Sequence, residues 1–353
     1  MKRWLLPALL LLLTLISLLT LRSVVPELAT QQALFFVIGF SAFFLISKVK
    51  FRQFQNLAWP IYIIVTLLLV TSYLYGFFSG KTGRWIPILG LYNLQPSQLA
   101  IPATALVLSS IKGSLNRVVN LLKYLAVIAL PAVLILIEPD LGTTLVYLIS
   151  TGIIIFLSDI SWKKIISLIS IAIIGAIFSW FFVLKPYQKQ RITSFADSSQ
   201  DTRGSSYNAR QSLIAAGSGQ LFGRGLGQGV QSHLKFLPER QTDFIFASLA
   251  EEFGFVGSMT VVLIYLFLII SILQIGLKSG SKAEYYFCIS LVTMFTFQVG
   301  INIGMNIGLV PITGLTLPLL SYGGSSLLSL MAMLAIVQSI SNNLKPQKSL
   351  HLS

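Results

Sequence analysis

The residues best suited to chemistry close the one long polar loop of the chain. They read Leu237-Pro238-Glu239-Arg240-Gln241-Thr242-Asp243-Phe244-Ile245-Phe246 and deliver a carboxylate, Asp243, to the start of an apolar run. Glu239 and Arg240 lie beside it, and Arg191, Arg203, Arg210, Arg224 and Lys235 precede it in the same loop. Arginine forks match phosphate oxygens, and their charge helps a pyrophosphate leave. A carboxylate among such cations suits a general base that takes a proton from a hydroxyl of an anionic, lipid-linked substrate. The competing reading of Asp243 is a helix N-cap, since Asp is a favoured cap before an apolar run. The competing reading of the cations is a solvated loop face.

Other stretches could build the same site. The acidic turn Glu138-Pro139-Asp140-Leu141-Gly142-Thr143 falls on the same side of the chain as Asp243, which makes Asp140 a candidate substrate contact. The loop 77–96 carries Arg84 and Trp85. Its Ser79-Gly80-Lys81-Thr82 looks like the tail of a phosphate-binding loop, but Gly76 is one residue too close and no strand precedes it, so a tight turn is the better reading. Gly217, Gly219, Gly223, Gly225, Gly227 and Gly229 could lend backbone N–H groups to an anion. The run Gly308–Ser326 has spaced Pro and Gly breakers and reads as a broken or re-entrant helix that walls the site, with Ser321 a candidate contact. Gln298, Asn302 and Asn306 form a stripe at a spacing of four, beside Gly300, Gly304 and Gly308. That pattern serves helix packing or a polar wall of a substrate groove. Glu251 and Glu252 fall two turns inside an apolar span, where a charge costs roughly 2.5–3.5 kcal/mol and is paired or functional.

The elements that must position these residues are membrane spans. Of 353 residues, 55% are apolar and 10% charged, with mean hydropathy +0.81. A soluble domain carries about 25% charged residues. Ten apolar segments are long enough to cross a bilayer: 4–21, 31–47, 57–76, 94–111, 120–137, 141–158, 162–184, 244–275, 284–308 and 312–340. The first lacks a small-residue cleavage site and reads as an uncleaved span. The fold class is therefore an all-α polytopic membrane protein, one domain over 1–353, with a long extracytoplasmic loop, 185–243. With both termini in the cytoplasm, the inner regions hold 14 Lys and Arg residues, and the short outer loops hold only Arg22, Lys81 and Arg84. The formal charge of +14 is mostly this topology signal, not a nucleic-acid footprint. Within the long loop, Tyr207–Ala216 reads as a short helix stopped by Gly217. Cys288 is the only cysteine, and His233 and His351 are the only histidines, so neither a disulfide framework nor a Cys- or His-rich metal site can form.

At the Glu138–Thr143 turn, Tyr207-Asn208…Gln211-Ser212, Leu237–Glu252 and Pro311–Ser326, the sequence resembles the SEDS family of cell-wall polymerases, which comprises RodA, FtsW and SpoVE. Gly229-Val230-Gln231-Ser232, Phe236-Leu237-Pro238-Glu239 and Pro311-Ile312-Thr313-Gly314 look more like the RodA branch than the FtsW branch. The resemblance implies a peptidoglycan glycosyltransferase of the bacterial cytoplasmic membrane, acting in cell elongation and shape. Such an enzyme polymerises lipid II on the outer face, inverts the donor's anomeric centre and releases undecaprenyl pyrophosphate. The family's essential aspartate falls on Asp243 and its functional tryptophan on Trp85. A divalent cation, Mg or Mn, with no organic cofactor, is implied. So are a class B penicillin-binding protein, a transpeptidase, and other membrane proteins of the elongation complex as partners. Three positions depart from the family pattern. Gln98 and Ile101 stand where the family usually has Glu and Lys. Gln241 replaces the family's histidine before Thr-Asp, which rules out a His-assisted base there. The rival functions are a lipid-precursor flippase or transporter, and an inactive scaffold for a transpeptidase. Clustering of polar groups at the outer rim, with no internal repeat, favours chemistry over transport.

Overall fold

The computed structural model describes residues 4–79, 83–88, 92–111, 113–196, 205–234 and 236–344. In chain order the elements are α1 (Leu5–Val24), α2 (Pro26–Ile46), α3 (Phe51–Asn56) and α4 (Ala58–Ser79), then the hairpin β1 (Ile86–Ile88) and β2 (Tyr92–Leu94). Four apolar helices follow: α5 (Ser97–Ser110), α6 (Val118–Ile137), α7 (Leu141–Leu157) and α8 (Trp162–Phe182). The long loop holds α9 (Pro186–Ala196), α10 (Ser205–Ser218) and α11 (Val230–His233). The chain closes with α12 (Ile245–Lys278), α13 (Lys282–Asn306) and α14 (Gly324–Asn342). Among the described residues, eight helices are long and apolar enough to cross a membrane, and the shorter apolar helices α5 and α7 lie at the other two expected spans.

The core lies where α12 packs on α13, α14 on α2, α13 on α7 and α4 on α5. Large side chains fill it, among them Phe43, Tyr147, Tyr265, Phe287 and Phe295. α8 stands apart: none of its residues is buried. Arg84, the 138–140 turn, the hairpin and the long loop gather at one end of the bundle. The opposite end is marked by the Lys282–Asp159 ion pair at 3.2 Å and by Asn342 donating to the Ser47 carbonyl.

Three boundaries differ from the sequence expectation. α2 begins at Pro26 rather than 31, because proline fits the first helical turn, where its missing N–H has no partner to lose. The last span, expected over 312–340, is helical only from Gly324; positive φ at Gly314 and Leu319 and the prolines 311 and 318 keep the preceding stretch irregular. That stretch is the broken segment read from the sequence.

The third difference concerns α12. At 1.5 Å per residue, its 34 residues would run to about 51 Å, well beyond a hydrocarbon core of about 30 Å. It is broken at Gly254, with φ 66° and ψ −164°. Residues 255–278 suffice to span, and the two turns before the break form a separate short helix. The loop crosses the break and completes its backbone hydrogen bonds. Arg224 and Gly225 N–H donate to the Glu251 and Glu252 carbonyls at 2.9 and 3.1 Å, and Phe255 N–H donates to the Gln220 carbonyl at 2.8 Å. A Cβ at Gly254 would overlap Gly223 and Leu221, so the crossing requires glycine.

Glu251 and Glu252 therefore lie before the spanning part of α12, and their carboxylates hold the loop. Glu251 accepts from the N–H groups of Gln231 and Ser232 and from the Ser232 hydroxyl, at 2.6–3.0 Å. Glu252 accepts from the Ser23 hydroxyl and the Gly227 N–H, and meets His233 Nε2 at 3.1 Å. Structural pairing is the reading that holds for both. The close approach of Gly219, Gly223 and Gly229 to residues 250–252 places these glycines against α12 and its acids.

Candidate active site

The backbone around Asp243 is held at three successive carbonyls. Tyr322 N–H donates to the Gln241 carbonyl at 2.9 Å, and the Ser321 hydroxyl donates to the Thr242 carbonyl at 2.6 Å. Asn302 and Asn306 both donate to the Asp243 carbonyl, each at 3.0 Å. A turn at Glu239, with φ 47°, starts the segment; its carbonyl accepts from the N–H groups of Thr242 and Phe244. α12 begins two residues after Asp243, its N-cap is Phe244, and no side chain caps it. The Asp243 carboxylate is therefore not a helix cap, which removes the main structural alternative to a chemical role.

Asp243 is only partly exposed, at the rim of the site. Burial pushes its pKa up from the usual carboxylate range to about 6, and the nearby Glu239 charge adds to the rise. Arg191 offsets part of it, while Asp140 raises and Arg84 lowers it further. A carboxylate of that pKa is ionised at neutral pH yet a far better base than an exposed one. Gly314 gives the local geometry: a Cβ built on it would lie 3.6 Å from Asp243 Oδ2 and 3.4 Å from Arg191 Nη1. Gly314 has φ 76°, a conformation that glycine adopts without strain and that leaves room for both charged groups.

Arg191 of α9 and Arg210 of α10 line one cleft of about 180 Å³, together with Ser194, Phe195, Gly308 and Ile312. Two of the loop's predicted cations thus share a cavity, and one of them, Arg191, also meets Asp243 at Gly314. Arg240 has its Nε buried with no hydrogen-bond partner among the described residues. Glu239 is exposed and accepts from the Thr242 hydroxyl at 3.0 Å. Arg224 lies elsewhere: it is exposed beside the Gly254 break and donates to the Ser218 hydroxyl at 3.0 Å. Arg203 and Lys235 lie outside the described residues.

The acidic turn forms a second wall. Asp140 caps α7, accepting from the Thr143 N–H at 3.1 Å and from Gln95 Nε2 at 3.3 Å. Arg84 donates through Nε to the Glu138 carbonyl at 3.0 Å and through Nη2 to the Pro139 carbonyl, and its Nη1 sits 3.9 Å from Asp140. Arg84 therefore secures the turn while supplying charge felt at Asp243. Glu138 is fully buried and accepts from the Ser72 hydroxyl. Burial, reinforced by Asp140, pushes its pKa to about 8, so its carboxyl is largely protonated at neutral pH. Trp85 stands exposed beside this wall.

Ser321 is buried, its hydroxyl donating to Thr242 and accepting from the Leu317 N–H at 2.7 Å, which leaves it a support for the Asp243 loop. Asn302 and Asn306 were readable only as a polar stripe; their spacing put them on one face of α13, but nothing in the sequence told which backbone they would meet. Ile101 is packed in the core of α5 and Gln98 is partly buried. No three of His, Cys, Asp and Glu converge among the described residues in a way that could hold a metal ion.

A family model for FtsW, RodA and SpoVE, described as a cell cycle protein, matches residues 3–346. The chain is 38% identical over 301 residues to the peptidoglycan glycosyltransferase MrdB of Escherichia coli K12, covering 83% of this chain and 80% of that protein. It is 39% identical over 308 residues to a probable peptidoglycan glycosyltransferase FtsW of Buchnera aphidicola, covering 84% and 80%. Among solved structures, a chain from a peptidoglycan synthase complex that coordinates polymerization and crosslinking superposes with TM-score 0.82 at 27% identity. A crystal structure of a Thermus thermophilus RodA variant superposes with TM-score 0.70 at 25% identity; in both cases 98% of each chain is covered. The chain therefore belongs to the FtsW/RodA/SpoVE family, the SEDS family that its motifs resemble.

Proposed function

We propose that this chain is a peptidoglycan glycosyltransferase that polymerises lipid II into glycan strands for cell elongation. The observation that carries the mechanism is Asp243: a partly buried carboxylate, not used as a cap, with its pKa near 6 and Arg191 facing the same glycine. In the transfer step, Asp243 takes the proton from the acceptor sugar's hydroxyl. The oxygen forms a bond to the donor's anomeric carbon as the bond from that carbon to the pyrophosphate oxygen breaks. The electron pair leaves on undecaprenyl pyrophosphate, and the anomeric centre inverts.

Arg191 and Arg210 stand where they can stabilise the pyrophosphate charge, and Arg240, in the same loop, adds positive charge near the Asp243 segment. Trp85, Arg84, Asp140 and Glu239 form the rim that meets the saccharide. A divalent cation, Mg or Mn, would take its ligands mainly from the substrate's pyrophosphate oxygens, as Mg sites commonly do. The excess of basic residues in the short loops of the opposite end supports a topology with both termini in the cytoplasm and this site on the outer face of the bacterial cytoplasmic membrane. A class B penicillin-binding protein, bound through the membrane, would crosslink the product strands, alongside other elongation-complex proteins. The test is polymerisation of lipid II by the purified chain, alone and with such a transpeptidase. Glycan ladders support the reading, and their absence under both conditions refutes it.

A further inference from the structure

Asn302 and Asn306 project from the last two turns of α13, and both are fully buried. An amide side chain removed from water needs hydrogen-bond partners. Both find one in the same atom, the Asp243 carbonyl oxygen, whose two lone pairs accept the two N–H donors. We propose that Asn302 and Asn306 are positioning residues for glycosyl transfer, fixing the peptide plane from which the Asp243 carboxylate reaches the acceptor hydroxyl. The proposal rests on the reading of Asp243 as the base.

The same two amides set the surroundings of the base. Asn302 also donates to the Leu315 carbonyl at 2.6 Å, next to Gly314, which faces the carboxylate. Asn306 Oδ1 accepts from the Ala247 N–H at 3.0 Å in the first turn of α12. The Ser212 hydroxyl donates to the Asn306 carbonyl at 2.9 Å and ties down α10, which carries Arg210. One face of a rigid helix thus sets the base, its glycine wall and the helix bearing a cleft arginine relative to each other. Gln298, one turn back in the same stripe, donates to the Thr316 carbonyl at 3.0 Å. It is a buried amide of similar kind with a different target, and so an internal control.

The experiment uses the purified full-length chain with lipid II, comparing Asn302→Ala, Asn306→Ala and Gln298→Ala over pH 5 to 8, with Asp243→Asn alongside. A misplaced base is expected to lower kcat by about 10- to 100-fold, with KM within about threefold of the parent. The acid limb of kcat should also move to lower pH, because a loosened segment admits water to the carboxylate. The charged groups that act on Asp243, namely Glu239, Arg191, Asp140 and Arg84, are unchanged in all the asparagine variants. Gln298→Ala should leave the limb in place. If an alanine variant does not accumulate, Asn306→Ser keeps a hydroxyl at the buried site and takes its place.

Full kcat in the asparagine variants, with Asp243→Asn inactive, overturns the positioning role and leaves the base assignment standing. A rate lowered equally at every pH, as for Gln298→Ala, makes the pair ordinary packing and also overturns it. Failure of every asparagine variant to accumulate assigns the pair to folding alone and overturns it too. An active Asp243→Asn instead removes the base assignment on which the proposal rests.

Discussion

At the scale of single residues, the proposed chemistry depends on opposing effects at one carboxyl group. Burial and the Glu239 charge raise the Asp243 pKa to about 6, while Arg191 and Arg84 hold it down. The base acts only when ionised, so kcat should fall as pH drops through about 6 and level off above it. Glu239→Gln removes a repulsion that favours the protonated form, so this limb should move to lower pH; a limb moving to higher pH contradicts the assignment. The cleft arginines give a second prediction. Arg191→Lys and Arg210→Lys keep the charge but lose the planar fork, and each should lower kcat/KM for lipid II polymerisation by about tenfold. Unchanged values would return both to a solvated loop face.

At the scale of elements, the site depends on the long loop crossing α12 where that helix breaks. Gly254→Ala must place a Cβ against Gly223 and Leu221 at a φ of 66°. It should cut accumulation in the membrane and lower the melting temperature in detergent, whereas a Gly152→Ala control, with open space at its Cβ, should not. Wild-type levels for Gly254→Ala would mean that the crossing is loose. This break was hidden in the sequence because a lone glycine in an apolar run reads as an uninterrupted span. Glu251 and Glu252 looked like charges at membrane depth for the same reason. The segment before α14 was legible, since its prolines and glycines cannot continue a helix. The ten spans were legible because lipid demands apolar length. Asp243, Arg191 and Arg210 were visible as candidates from residue type and order, whereas Arg224, read in the same way, falls elsewhere. The bracing by Asn302, Asn306 and Ser321 was not, because those hydrogen bonds join residues about 60 or 80 positions apart to backbone atoms, which carry no sequence signature.

At the scale of the whole molecule, the described charges divide between two ends of the bundle: one holds the site, the other most of the basic residues of the short loops. The positive-inside rule then predicts the orientation. A cysteine placed at the exposed loop residue Gln228, in a Cys288→Ala background, should react with an impermeant reagent on intact cells; reaction only after lysis would reverse the orientation. The family relationship and the superposition over 98% of the chain make the bundle a shared framework, so the proposed mechanism is tested at Asp243.

The most direct measurement is lipid II polymerisation by Asp243→Asn against the parent, with thermal stability measured on the same preparations. A group whose folded pKa is raised to about 6 adds stability below its unfolded value near 3.8 and loses that contribution as pH rises through 6. At pH 7 to 8 the ionised carboxylate is thus a net cost to the fold, and the asparagine variant should melt no lower than the parent. Its polymerisation rate should fall roughly 10²–10⁴-fold. A stable Asp243→Asn protein that polymerises lipid II at the parent's rate would contradict the account.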